Sequence, residues 1–272
     1  MESVTYFFAH GLANNYKQAY SYTKTAIIKR KEVINDRYIL NSPLVTFNFP
    51  DAQGLFAKIF RINFTQTSFA QDNELEATLQ AYSTINDPQG TVVMGVSRGA
   101  AVATVFTSMI CSTAAKMTVA PIRALILESP FDSILDALND KIKKAWLRSL
   151  ALSLVKHHLP FFKYDSNGKQ PIDTAALISP DLPILLVCSL EDTTVMASST
   201  KRLYTRLRSA GHKHVYLLIL NTGAHAKLLP GPEGQTYHTV VHAFYKRYGL
   251  PHEQASAELG LARFAQCQPD CT

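Results

Sequence analysis

The chain has 272 residues, 47% apolar and 18% charged, with 27 Lys and Arg against 21 Asp and Glu for a net charge of +6. This mix excludes a disordered or collagen-like chain, and 12 glycines and 13 prolines are too few for a low-complexity linker protein. The length suits one large domain, and +6 spread over it falls short of the dense Lys/Arg clustering of a dedicated nucleic-acid binder.

The first ten residues, Met1 to His10, start acidic and carry only a short apolar run, unlike a secretory signal. No apolar run approaches the ~20 residues of a membrane span. The four cysteines, at 111, 188, 267 and 271, do not form a disulfide framework. Cys111 and Cys188 read as buried thiols, and Cys267 and Cys271 either pair or lie free. A reducing, cytoplasmic setting is expected.

Short apolar runs then alternate with helical patterns. Val4–Ala9 reads as a strand, Asn14–Lys31 as a helix, and Leu44–Phe49 as a second strand. Asp72–Asn86 reads as a helix with acidic residues in its first turn, where the helix dipole favours them. Thr91–Val96 is a strand and Gly99–Cys111 a buried helix. Ala124–Leu127, Pro183–Cys188 and Val215–Leu220 are further strands, with helices at Ser198–Ala210 and Thr236–Tyr248. The strands are near-continuously apolar, as strands covered on both faces are. The expectation is an α/β domain over 1–272 with a mostly parallel central sheet and helices on both faces. Residues 133–180 break the rhythm. Their Lys141–His158 stretch is basic and amphipathic, and a 48-residue connection predicts a helical cap more than a linker.

The sharpest chemical signal is Gly95-Val96-Ser97-Arg98-Gly99, placed between an apolar strand and an apolar helix. Gly-x-Ser-x-Gly in that setting is a nucleophile elbow: the chain turns sharply and lifts the serine to a helix N-terminus, where an oxyanion is favoured. A serine hydroxyl needs a base, and the base an orienting carboxylate. The order Ser…Asp/Glu…His is met by Asp192 after the strand ending at Cys188, and by His225 in the Gly-containing loop after the last strand. Glu191, Glu128 and Asp132 compete for the acid role, and the chain order favours Asp192. His10-Gly11-Leu12 ends the first strand and nominates the Leu12 amide, with that of Arg98, for the oxyanion hole. His238 and His242 are spaced as two zinc ligands would be. They lack the Glu of His-Glu-x-x-His, and no third ligand is evident, so no metal is expected. No phosphate-cradling or dinucleotide motif is present, so no cofactor is expected.

These motifs together make the chain resemble the α/β-hydrolase superfamily, over most of its length. The carriers are His-Gly after the first strand, Gly-Val-Ser-Arg-Gly, Leu-Glu-Ser-Pro-Phe-Asp, Leu-Glu-Asp and Gly-Ala-His. The resemblance implies a Ser97–Asp192–His225 triad under a cap formed by 133–180. It departs from the family where the chain begins at the His-Gly strand, two strands later than usual, which reads as a minimal member or a fragment. Ser189 also stands where glycine is common, and Gly-Ala-His replaces Gly-His.

The expected function is a serine hydrolase cleaving an ester through an acyl-enzyme. The alternatives are a peptidase, thioesterase or lipase on the same triad, or a non-catalytic binding protein. The expected partner is a small-molecule or acyl substrate, without nucleic acid. Residues 140–170 hold seven Lys and Arg against two Asp, so a weak membrane-surface contact through the basic cap is a further expectation. The sequence sets no oligomeric state.

Overall fold

The computed structural model describes residues 4–11, 16–24, 31–34, 37–39, 43–49, 72–113, 119–157 and 168–268. Its strands are β1 (Thr5–Ala9), β2 (Lys31–Ile34), β3 (Arg37–Ile39), β4 (Leu44–Thr46), β5 (Thr91–Val96), β6 (Ile122–Glu128), β7 (Ile184–Ser189) and β8 (Val215–Leu220). Its helices are α1 (Ala19–Lys24), α2 (Asp72–Tyr82), α3 (Arg98–Thr113), α4 (Ile134–Lys141), α5 (Ala145–His157), α6 (Pro171–Thr174), α7 (Ala197–Ser209), α8 (Gly234–Arg247) and α9 (Gln254–Ala265).

Six strands form one sheet in the order β4-β1-β5-β6-β7-β8. Every pairing in it is parallel. Such strands need cover on both faces, and alternate residues supply it. Tyr6, Phe8, Met94, Ile126 and Val187 face α1, α8 and α9 through Tyr22, Tyr237, Phe244 and Phe264. Phe7, Val93, Leu125, Leu127 and Leu186 face α2, α3 and α7 through Tyr82, Phe106, Leu203 and Leu207. The expected parallel α/β sheet with two helical layers is what the structure shows.

One local expectation is corrected, and two features are added. Of the helix read over Asn14–Lys31, residues 14–15 and 25–30 lie outside the described residues; the rest form a 3-10 turn at Tyr16–Gln18 running into the six-residue α1, and Lys31 opens a strand. β2 and β3 form a separate antiparallel hairpin. The chain also adds α9, which packs along α8 with Gly260 facing the Thr239 carbonyl.

Between β6 and β7 the described residues form α4, α5, α6 and a 3-10 turn at Ala175–Leu177. Ser133 caps α4, its hydroxyl accepting the Asp136 amide at 3.0 Å. On α5, Trp146 and Leu150 are exposed.

Candidate active site

Parallel strands place all their carboxyl ends on one edge, and the loops leaving that edge bring distant residues together. β5 ends in Val96, and Ser97 follows at φ 55°, in the left-handed region that non-glycine residues rarely occupy. The turn is held by its backbone. The Ser97 amide donates to the Glu128 carbonyl at 2.8 Å, and the Ser97 carbonyl accepts the Ala100 and Ala101 amides at 3.0 and 3.1 Å. The flanking glycines are steric necessities. A Cβ at Gly95 would stand 2.4 Å from the Gly99 carbonyl oxygen, and one at Gly99 would stand 2.1 Å from the Ala9 carbonyl oxygen. The strained turn aims Ser97 out of the sheet edge.

His225, in the loop after β8, places Nε2 2.7 Å from Ser97 Oγ. Its Nδ1 lies 2.7 Å from Asp192 Oδ2, in the loop after β7. The other carboxylate oxygen, Oδ1, accepts the Thr194 and Val195 amides at 2.8 and 2.9 Å. Asp192 is thus held on both oxygens. Burial works to raise its carboxyl, but the hydrogen bond and charge of His225 and the two amides outweigh it and hold it below the ordinary carboxylate range. An anion at Oδ2 fixes the proton of neutral His225 on Nδ1 and leaves the Nε2 lone pair toward Ser97. Such an array can take the Ser97 proton as Oγ attacks an electrophile.

The other acids are otherwise engaged. Asp132 is buried and bound by the Arg202 guanidinium and the Ser199 hydroxyl. Arg202 also reaches Asp140 of α4 at 3.0 Å and so ties α4 to α7. Glu191 Oε2 accepts the Gly223 amide at 3.2 Å, which braces the loop that carries His225. Glu128 points into the core on the α1 and α8 side. Asp132→Asn is therefore expected to lower stability by about 1–3 kcal/mol, since it weakens a half-buried ion pair. It should leave kcat within about threefold, because Asp132 does not touch His225. A urea melt with ester kinetics on the same sample checks both.

Of the two nominated oxyanion donors, Leu12 lies outside the described residues. Arg98 opens α3, whose first amides have no acceptor within the helix. The Arg98 side chain turns inward instead, over the Phe49 ring at 4.2 Å and toward Glu74 at 3.5 Å, with both charged groups buried. It also reaches the Gly11 carbonyl at 3.5 Å. His10 is buried beside it. Its Nε2 accepts the Phe49 amide at 3.3 Å, which leaves Nδ1–H to donate to the Gly11 carbonyl at 2.8 Å. Burial pushes this imidazole down to about 4, with the Gly11 carbonyl opposing and Arg98 adding to the fall, so it is neutral at pH 7. The Gly11 amide donates to Gln18 Oε1 at 2.8 Å. Gly11 is thereby held beside Ser97, whose Cβ lies 3.6 Å from where a Gly11 side chain would begin. These anchors, the buried Glu74 and Arg98 and the half-buried Gln18, carry no local sequence signal.

Comparison with known proteins finds no matching family model and no matching curated protein. Solved structures do match. An esterase of Pyrococcus furiosus aligns over 91% of this chain and 84% of its own, at 20% identity and a TM-score of 0.56. An alpha-beta hydrolase from Vibrio vulnificus aligns over 87% and 72%, at 15% identity and a TM-score of 0.56. An acylaminoacyl peptidase of Pyrococcus horikoshii aligns over 93% of this chain but 38% of its own, at 16% identity and a TM-score of 0.55.

The chain has the α/β-hydrolase fold. In an α/β-hydrolase sheet the carboxyl edge is where the β5, β7 and β8 loops converge, and Ser97, Asp192 and His225 lie on them. A cavity of about 550 Å³ lined by Ile110, Pro121, Ile122, Leu182 and Pro183 opens at the other end, beside the starts of β6 and β7. It is not continuous with this site. The structure also brings Glu253 to the histidine pair on α8, a neighbour the sequence did not reveal. The three ligand atoms lie within 4.8 Å of one another. Neighbouring ligands on a tetrahedral zinc stand closer, about 3.4 Å apart. His242 Nδ1 is already accepting the Glu253 amide at 3.0 Å, so the cluster as built is a helix-to-loop brace. No helix among the described residues is long and apolar enough to cross a membrane.

Proposed function

We propose that the protein is a serine hydrolase that cleaves carboxylic esters through an acyl-enzyme. The observation that carries this reading is the unbroken relay from Ser97 Oγ to His225 Nε2 and from His225 Nδ1 to Asp192 Oδ2, each at 2.7 Å. Ser97 Oγ attacks the ester carbonyl as its proton passes to Nε2. The imidazolium is stabilised by Asp192, then donates that proton to the leaving alkoxide. Water, deprotonated by His225, attacks the acyl-enzyme and releases the acid. The tetrahedral oxyanion sits at the N-terminus of α3, where the Arg98 amide and the loop after β1 supply donors. Residues 133–180 act as the cap, and the Arg202 tie to Asp140 fastens its first helix beside the site.

Esters are favoured over amides because an alkoxide leaves more readily than an amine, and a bare relay suffices for it. Stopped-flow turnover of p-nitrophenyl acetate, butyrate and octanoate, set beside a matching anilide and acyl-thioester, tests the reading. A burst of one p-nitrophenolate per chain with esters hydrolysed fastest is expected. Absence of both burst and turnover with every ester contradicts it.

A further inference from the structure

Gly11 stands two residues past the end of β1, buried against Val96 and Ser97. Side chains from three different segments hold its polar groups. Its amide donates to Gln18 Oε1 at 2.8 Å. Its carbonyl accepts twice, from His10 Nδ1–H at 2.8 Å and from the Arg98 guanidinium at 3.5 Å. Each of the two carbonyl donors is itself held. Arg98 faces the Glu74 carboxylate at 3.5 Å, and both side chains are buried. The Phe49 ring lies 4.2 Å from the guanidinium and 4.8 Å from the His10 ring. The Phe49 amide donates to His10 Nε2 at 3.3 Å, which keeps the imidazole proton on Nδ1. Burial keeps His10 neutral at pH 7, so that proton arrangement persists. Burial also lowers Arg98 to about 10, with Glu74 opposing the fall, and it stays a cation at pH 7.

A buried ion pair is weak evidence for a stability role, because desolvation offsets most of its attraction. The placement of this one is what marks it. Arg98 directly follows Ser97. Its backbone amide opens α3 as one oxyanion donor, and its guanidinium reaches the carbonyl of Gly11 in the loop that carries the other. That carbonyl shares one planar peptide with the next amide, the donor nominated at Leu12. In a trans peptide the N–H and the C=O point opposite ways. Whatever draws the Gly11 carbonyl inward therefore sets the aim of that N–H.

We infer that His10 and Arg98, the latter held by Glu74, are positioning residues for the oxyanion hole: they turn the Gly11 carbonyl inward and so aim the following amide at the oxyanion. Arg98 thereby links both donors, one through its own backbone and one through its side chain. The inference deepens the hydrolase reading above and rests on it. Oxyanion donors act on the charge that develops in the transition state and contribute little to the bound ester. Misaiming one should therefore lower kcat and spare KM.

Two neutral substitutions separate the two ring nitrogens of His10. Asparagine presents an amide N–H where Nδ1 stands, and glutamine presents its amide group where Nε2 stands. His10→Gln keeps an acceptor for the Phe49 amide and loses the donor to Gly11, while His10→Asn does the reverse. Each gives up one hydrogen bond, so their melting temperatures should fall alike. His10→Gln is expected to lower ester kcat about tenfold to a hundredfold with KM within about twofold. His10→Asn is the conservative rescue and should recover kcat to within about threefold of wild type. A trifluoromethyl ketone, which adds to Ser97 as a hemiketal oxyanion, should lose affinity in His10→Gln by the same factor as kcat/KM. Equal rates in the two variants, or a ketone affinity that His10→Gln leaves unchanged, overturns the inference. If the His10 variants do not fold, Arg98→Lys keeps a charge beside Glu74 and gives up the reach to Gly11. Its ketone affinity should fall about tenfold, and an unchanged affinity overturns the inference. Should wild type hydrolyse no ester, the hydrolase reading fails separately, and the inference is read on the loop itself. Amide hydrogen exchange in a peptide spanning Gly11 should then be faster in His10→Gln than in wild type and His10→Asn. Equal exchange in all three overturns it.

Discussion

Ser97→Ala is expected to lower ester kcat by about 10⁴- to 10⁶-fold, the loss that follows when the nucleophile of such a relay is removed. The change is a clean one. Ser97 sits at φ 55°, and alanine carries the same Cβ, so the backbone strain of the turn is unchanged. The amide bond to the Glu128 carbonyl and the bonds from Ala100 and Ala101 do not involve the side chain. The hydroxyl bonds His225, and losing one such bond costs about 1 kcal/mol of stability. Activity should thus collapse in a protein whose melting temperature moves by only a few degrees. A thermal melt beside the kinetics separates lost chemistry from lost fold. A variant that keeps more than about one-hundredth of wild-type kcat would place the nucleophile elsewhere.

Asp192→Asn should cost about 10⁴-fold in kcat, for a reason the hydrogen bonds make explicit. Oδ1 of Asp192 accepts two backbone amides, from Thr194 and Val195. An asparagine keeps its carbonyl oxygen there and must turn its NH₂ toward His225. A donor facing Nδ1 forces the imidazole proton onto Nε2, and Nε2 then has no lone pair for Ser97. The geometry survives while the tautomer is wrong. Glutamate at 192 would instead overfill a site in which both oxygens are already placed. Because the His225 contact and the two amides hold Asp192 below the ordinary carboxylate range against its burial, its charge persists well into acid. Any loss of rate between pH 6 and 8 therefore belongs to other groups. Asp132→Asn is the matched control, since that carboxylate serves Arg202 and Ser199.

The relay was legible because its parts are marked locally. Gly95 and Gly99 flank Ser97 because backbone passes where a Cβ would stand. Asp192 and His225 follow strands whose apolar runs declare a parallel sheet. What escaped the sequence depends on packing. Gly260 reads as a helix breaker, yet it lies inside α9, where a Cβ would meet the Thr239 carbonyl of α8 at 2.1 Å. The helix tolerates glycine because α8 approaches so closely. The β2–β3 hairpin lies in a charged stretch, Lys31 to Ile39, that carries no element in the sequence reading beyond the helix ending at Lys31. Glu128 looked like a candidate orienting acid at a strand end. Whether such a side chain faces the histidine or the core is set by strand register, and the pairing of Val96 with Glu128 turns it inward.

The account stands on Ser97 being an activated nucleophile. Intact-mass and peptide mapping after incubation with a fluorophosphonate tests that most directly, because it needs no knowledge of the natural substrate. One adduct per chain is expected, mapped to Ser97, absent in Ser97→Ala and slowed by orders of magnitude in Asp192→Asn. A wild-type protein that is folded yet unlabelled, or one labelled at another residue, would contradict the account.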